Sequence, residues 1–372
     1  MRMSDDHGLH RDANRSWTLP SDWYTSEEVF EVEKQTIFTR GWWYVGAECE
    51  VGEAGAFTTT TIVDQDVFVI RGQDGVLRAF YNVCRHRAHR LVDGSGCKDR
   101  IVCPYHGWTY DMDGRFCGGR GVDSIVGFEP GSFGLAEVRV ETMIGLVFVN
   151  LDPTAPALRE IASPMLADMH THCPLLDGLT RVKSHQLETA ANWKVLVDND
   201  LESYHAAIAH RSLMNLLDYS GFEIWEHDFT TCHAMSNTNA DNEAYQVDDN
   251  AAVKRALYTW MWPNTAFFIA PGRANLGVFH MVPTGPQTSI QNWDFYFESD
   301  ELDDSEQSYL DWTIGTLIPE DTVLYENVQR GMRSRGYQAG RFVADPNRAE
   351  WDERHVHMFH RLVHNEVTSG LK

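Results

Sequence analysis

The sequence predicts an α+β protein carrying an all-β insert, and three observations predict it. From residue 45 to about residue 152, segments rich in β-branched and aromatic residues follow one another, separated by Gly and Asp-Gly turns. Before that stretch lies a capped helical pattern. After it, helical segments alternate with strand-like runs, as when helices pack on an antiparallel sheet. With 372 residues, the chain is long enough for two domains. The division read from texture is 45–152 for the insert, and 1–44 with 153–372 for the surrounding domain.

Taken in order, "SEEVFEVEKQTIFTRGWWYVG" offers Ser26 as an N-cap with Glu27 and Glu28 in the first turn. "AFTTTTIVDQDVFVIRG", "VLRAFYNV", "RIVCPYHGWTYDMDGRF" and "GLVFVNL" read as strands of the insert. "LDPTAPALREI" (151–161) reads as a linker entering a helix. "ANWKVLVDNDLESYHAAIAHRSL" (191–213) reads as one helix. "RALYTWMWPNTAFFIAPG", "GVFHMVPTG" and "SIQNWDFYFES" read as antiparallel strands. In 319–336, Pro319 near the start and Gly336 past the end bracket another helix. The last helix carries His357, His360 and His364 on one face. The interleaved Met358, Phe359, Leu362 and Val363 make it a packing helix rather than a third metal site.

Composition narrows the function. Hydrophobic and charged fractions of 43% and 23% are those of a globular protein. The net charge of −23 argues against nucleic-acid or anionic-membrane partners, and suits solubility, a cationic substrate or a basic redox partner. The apolar run Met143 to Val149 is far too short for a bilayer. The first 17 residues lack an apolar leader, so the cytoplasm is the expected compartment. Seven cysteines and no leader speak against a disulfide framework. Cys49, Cys97, Cys117, Cys173 and Cys232 show no paired ligand spacing and read as spare thiols.

Cys84-x-His86 and, 16 residues on, Cys103-x-x-His106 are different. Zinc fingers keep their two cysteines together and their two histidines together. The mixed order, on two loops between strands, fits a Rieske [2Fe–2S] centre, with imidazoles replacing thiolates on one iron and raising the potential. Cys84 and Cys103 would hold one iron, His86 and His106 the other. Pro104, Tyr105, Gly107 and Trp108 flank the second pair and can shield a cluster. His89 reads as a surface residue.

These motifs resemble the Rieske non-haem iron oxygenases, and the resemblance spans roughly residues 20 to 366. It implies a helix-grip catalytic domain and a second, mononuclear Fe(II). His205 and His210 supply two ligands of a two-histidine, one-carboxylate site. At i, i+5 they point about 140° apart on an ideal helix, so the helix must widen or break there. The resemblance implies Asp321 as the third ligand; spacing alone does not separate it from Glu320. It also implies that Glu202, with Asp198 four residues before it on the same helix face, bridges to a Rieske histidine of a neighbouring subunit in a homotrimer. Electrons would come from NAD(P)H through a separate flavin/iron–sulfur reductase, and O2 would be the oxidant.

"FGLAEVRVETMIGLVFVNLDP", "ANWKVLVDNDLESYH" and "WMWPNT" look most like carnitine, betaine and choline monooxygenases, whose substrates are small quaternary amines. This chain departs in reading Glu202-Ser203-Tyr204-His205-Ala206 where that subgroup more often has Glu-Cys-Tyr-His-Cys. Tyr258, Trp260, Trp262, Phe267, Phe268, Trp293, Phe295 and Tyr296 could cage a quaternary ammonium. An aromatic substrate would suit such a pocket too, so a ring or aromatic-acid hydroxylase is the alternative. A cluster-only electron carrier would lack the mononuclear ligands.

Overall fold

A computed structural model describes residues 8–237, 242, 244–248 and 250–371. The first seven residues, part of the stretch read for a leader, lie outside them. The chain divides into two compact units, Phe38–Leu158 and Met1–Ile37 with Arg159–Lys372.

The first unit is all-β, and its strands are β1 (Trp43–Ala47), β2 (Ala56–Ile62), β3 (Gln65–Arg71), β4 (Leu77–Tyr81), β5 (Ser95–Cys97), β6 (Ile101–Val102), β7 (Thr109–Tyr110), β8 (Phe116–Gly118), β9 (Glu137–Met143) and β10 (Leu146–Asn150). Seven form an antiparallel sheet in the order β1-β10-β9-β4-β3-β2-β5, and β6-β7-β8 form a small second sheet. Phe68, Ile70, Phe80, Ile101, Trp108 and Tyr110 pack into one core, and Cys84 and Cys103 are buried in that same core.

The second unit builds a seven-stranded antiparallel sheet and packs helices on it. Helix α1 (Glu27–Glu33) starts at Ser26, whose hydroxyl accepts from the Val29 amide as the sequence expects. Then come α2 (Leu158–His172), β11 (Thr180–Thr189), α3 (Trp193–Asp200), α4 (Ala206–Ala209) and α5 (Arg211–Leu216). The remaining strands are β12 (Leu217–Glu226), β13 (Thr230–Asn237), β14 (Arg255–Met261), β15 (Thr265–Ile269), β16 (Asn275–Gly285) and β17 (Thr288–Phe297). The chain ends in α6 (Asp304–Trp312), α7 (Ile318–Met332) and α8 (Arg354–Gly370). Sheet order is β11-β17-β16-β15-β14-β13-β12. Phe359 of α8 fits edge-on against Trp193 of α3 and Trp260 of β14, which locks both helices to the sheet. No helix among the described residues is long and apolar enough to cross a membrane.

One helix differs from the sequence reading. The single helix expected over 191–213 is three pieces, α3, α4 and α5. Leu201 caps α3, and His210 leaves helical geometry at φ −118°, ψ 73°. The break answers the requirement that His205 and His210 set, by interruption rather than by a widened turn. A widened turn occurs elsewhere. Residues Thr313–Leu317 form a π-helical segment that joins α6 to α7 without a gap. Pro319 therefore lies within a continuous rod.

Candidate active site

Two loops bring the Cys/His motif together. Between β4 and β5, the Cys84 amide donates to the His89 carbonyl at 2.8 Å. Asn82 accepts from the amides of Leu91 and Val92 at 3.0 and 3.1 Å, and donates to the Val92 carbonyl. Between β6 and β7, the Cys103 amide donates to Trp108 at 2.8 Å, and the chain reverses at Gly107, whose φ of +72° favours glycine. The result is two buried thiols beside two imidazoles, whose ring centres are 4.7 Å apart. Trp108 is buried and stacks on His86, whereas Tyr105 is exposed and lies on His106, so only the first shields the site. The phenol of Tyr110 lies 3.3 Å from the Cys84 sulfur and accepts from the Arg85 amide. Burial raises the Cys103 thiol pKa, and Cys84 raises it further.

This donor set fits a two-iron cluster better than one ion. Both cysteines are free of disulfides, and Nδ1 of His106 is buried without a hydrogen-bond partner. Among the described residues, two groups of three or more donors gather within 4.8 Å as a single ion needs; the Cys84–His106 set is not one of them.

One of those two groups is His205, His210 and Asp321. Nε2 of His205 lies 3.1 Å from Nε2 of His210, and Asp321 Oδ1 lies 3.6 and 3.0 Å from them. The break at His210 aims both rings at one point, and α7 delivers Asp321 to it. The other ring nitrogens face carboxylates: His205 Nδ1 is 2.5 Å from Glu202, and His210 Nδ1 is 2.8 Å from Glu320. Glu202 also accepts from the His205 amide at 3.0 Å. Three donors converging with their outer nitrogens anchored is the arrangement of a metal-binding histidine pair. Burial opposes charge on His210, but Asp321 and Glu320 outweigh it and raise its pKa.

Asp198 is placed differently from the sequence reading. Helix α3 stops at Asp200, so Asp198 and Glu202 do not share a helix face. Asp198 instead accepts from Tyr24 at 2.7 Å and pairs with His360 at 2.9 Å, which also gives that α8 histidine a hydrogen-bonding role.

The site opens on a cavity lined largely by aromatic and aliphatic side chains. Of the eight aromatic residues proposed for it, Tyr258, Phe268, Trp293 and Phe295 line it. Phe267 and Tyr296 point to the other faces of their strands, and Trp260 near the end of β14 and Trp262 just past it lie against Phe359. Register explains the stack: Tyr258 pairs with Phe268 across β14 and β15, and Phe268 stacks on Trp293. Tyr219 of β12 and His233 of β13 line it too, and Tyr245, Tyr309, Trp312 and Tyr325 join from a loop, α6 and α7, where no strand alternation marks them. Asp200 also lines it; burial, and then Asp321, push its carboxyl well above the usual range.

The model for the ring hydroxylating alpha subunit (catalytic domain) matches residues 176–369, and that for the Rieske [2Fe-2S] domain matches 41–129. The carnitine monooxygenase oxygenase subunit of Escherichia coli (strain K12) is 33% identical over 94% of this chain and 93% of its own length. The chain belongs to the Rieske non-haem iron oxygenases.

Members of this family carry a mononuclear iron in the catalytic domain, besides the Rieske cluster. A chloroplastic choline monooxygenase of Atriplex hortensis is 30% identical over 95% of this oxygenase and 78% of its own length. A solved quaternary ammonium Rieske monooxygenase superposes with a TM-score of 0.90 at 32% identity, covering 98% of this oxygenase and 99% of that chain.

Sequence reasoning missed one constellation. On α2, Oδ2 of Asp168 receives Trp225 Nε1 at 2.6 Å, His227 Nε2 at 3.1 Å and Cys232 at 3.6 Å. Burial raises the Asp168 carboxyl, but these three donors outweigh it and lower its pKa. The partners are 57 to 64 residues from Asp168 in sequence, so no local spacing announces them.

Proposed function

We propose that this chain is the oxygenase component that hydroxylates a C–H bond of a small quaternary amine, using O2 and electrons drawn from NAD(P)H by a separate flavin/iron–sulfur reductase. The observation that carries this reading is the aromatic cavity directly on the His205–His210–Asp321 triad. A quaternary nitrogen has no N–H to donate, so ring faces are its natural hosts. The relatives named for carnitine and choline oxidation support the same choice.

His205, His210 and Asp321 would hold the iron, and Cys84, Cys103, His86 and His106 the cluster. When bound, the two centres supply O2 activation and electrons. The chain's own residues prepare the site. Glu202 and Glu320 hold the Nδ1 side of the two histidines and leave both Nε2 atoms free for the metal. The ring-lined cavity excludes water from the bond to be oxidised. The reaction balances as C–H plus O2, NAD(P)H and a proton giving C–OH, water and NAD(P)+. If the carbon adjoins nitrogen, the carbinol loses the amine and leaves an aldehyde. Glu202 would also relay an electron from the partner subunit's His106 in a homotrimer.

The test is a single turnover. The anaerobically reduced protein is mixed with O2 and a panel of trimethylammonium compounds and aromatic acids, and products are read by mass spectrometry. Cluster re-oxidation with release of trimethylamine or formaldehyde is expected. Turnover with an aromatic acid alone would overturn the reading.

A further inference from the structure

Adjacent residues on a strand face opposite sides of a sheet. His233 of β13 lines the active-site cavity, so Cys232 faces the other side, where it meets Asp168 of α2. Trp225 of β12 pairs with Cys232 across the ladder and shares that face. At the hairpin turn, the His227 amide donates to the Thr230 carbonyl at 2.8 Å, which holds His227 beside that pair. A helix, a turn and a strand thus bring a carboxylate, an imidazole and a thiol together behind the sheet.

One donor atom from each of Asp168, His227 and Cys232 lies within 4.8 Å of the other two. Oδ2 of Asp168 is 3.1 Å from Nε2 of His227 and 3.6 Å from the Cys232 sulfur. Tetrahedral zinc, with bonds of about 2.1 Å to oxygen and nitrogen and about 2.3 Å to sulfur, sets such pairs about 3.4 and about 3.6 Å apart. The two measured separations already lie close to those edges. Charge agrees as well, because a carboxylate and a thiolate beside a neutral imidazole balance a divalent ion. Trp225 Nε1 donates to the same carboxylate at 2.6 Å, the outer contact that fixes a ligating carboxylate. Cys232 is fully buried, whereas Asp168 and His227 are half-buried. The sulfur therefore forms the floor, and the open side admits an ion with a water as its fourth ligand.

The geometry points to a further metal site on this chain, apart from the mononuclear iron and the cluster: Asp168, His227 and Cys232 bind one divalent cation of the zinc class and staple α2 to the β12–β13 hairpin. β12 is the edge strand of its sheet, with β13 on one side only. The staple secures that edge, whose opposite face carries Tyr219 and His233 of the active-site cavity. Sulfur and imidazole ligands select zinc or cobalt over magnesium and calcium, which prefer oxygen. On binding, the thiol gives its proton to solvent and the imidazole keeps its hydrogen on Nδ1.

The probe is Co2+ added to the iron-loaded holoenzyme, since a thiolate bonded to Co2+ gives a charge-transfer absorption band. The His205–His210–Asp321 site offers no sulfur, so it is silent in this band. About one Co2+ per chain with the band is expected, displaced by Zn2+ and not by Mg2+. Cys232→Ser should abolish the band. His227→Gln, a change at a half-buried turn that leaves the thiol in place, should weaken Co2+ binding at least about tenfold. Circular dichroism and iron content matching the unmodified protein show that each variant is folded; should Cys232→Ser fail this, His227→Gln decides. No band on titration, a band that survives Cys232→Ser, or unchanged affinity in His227→Gln would overturn the site and leave Asp168 as an acceptor of three hydrogen bonds.

Discussion

His205 and His210 each divide their two nitrogens between tasks, and that division organises the site. Nε2 of each faces Asp321, and Nδ1 of each faces a glutamate. The pair of histidines was visible as a spacing in the sequence. The assignment of Glu320 was not, because adjacent carboxylates on one helix separate only when their side chains are placed. Glu320 reaches the back of His210, and Asp321 reaches the front.

Two other buried histidines make stability depend on pH. Burial lowers the pKa of His280 to about 3 and that of His233 to about 4. In the unfolded chain an imidazole protonates near pH 6.5. Below that pH the unfolded state binds more protons than the fold does, so stability falls as pH falls from 6.5 toward the folded values. For His280 alone the loss at pH 5 is about 2 kcal/mol. Urea denaturation of His280→Gln at pH 7 and pH 5 should show a smaller acid loss than the unmodified protein, by roughly that amount. Parallel losses in both proteins would count against it.

Helices α1 and α3 are joined by a buried ion pair that positions the start of the site. Nζ of Lys194 lies 2.5 Å from Glu33 Oε1, Trp193 Nε1 donates to Glu33 Oε2 at 3.0 Å, and both charged side chains are fully buried. Burial lowers the Lys194 pKa, and Glu33 opposes it. Lys194→Met strands the carboxylate and should cost about 3–5 kcal/mol, whereas adding Glu33→Gln should return part of it. Chemical denaturation of the unmodified protein and both variants measures this, and a single-variant loss under about 1 kcal/mol would contradict the role.

Strands were the most legible elements, since alternation and turn residues mark β2, β3, β14 and β15 directly. The break between α3 and α5 was legible only as a requirement of the two histidines. Its form depends on Glu202 capping the His205 amide and on the backbone of His210, neither of which a helical pattern encodes. Pro319 does lie in the first turn of α7; what was not legible is that α6 runs into α7 through the π-helical segment Thr313–Leu317, since no residue pattern marks a widened turn.

The molecule combines an all-β unit that presents two thiols and two imidazoles with an α+β unit that presents two imidazoles and a carboxylate at an aromatic cavity. The fold class and family were readable because the two metal motifs are specific and the strand texture is strong. The cavity was half readable. Alternation identified the rings on β14, β15 and β17, while those from α6, α7 and the loop before β14 depend on tertiary placement.

The central claim is that the two units hold separate iron centres, with Asp321 belonging to the second. Iron content measured alongside the Rieske electron paramagnetic resonance signal tests it most directly, in the unmodified protein and in Asp321→Ala. The account predicts about three irons per chain falling to about two, with the Rieske signal unchanged. Full iron retention in Asp321→Ala, or loss of the Rieske signal in that folded variant, would contradict it.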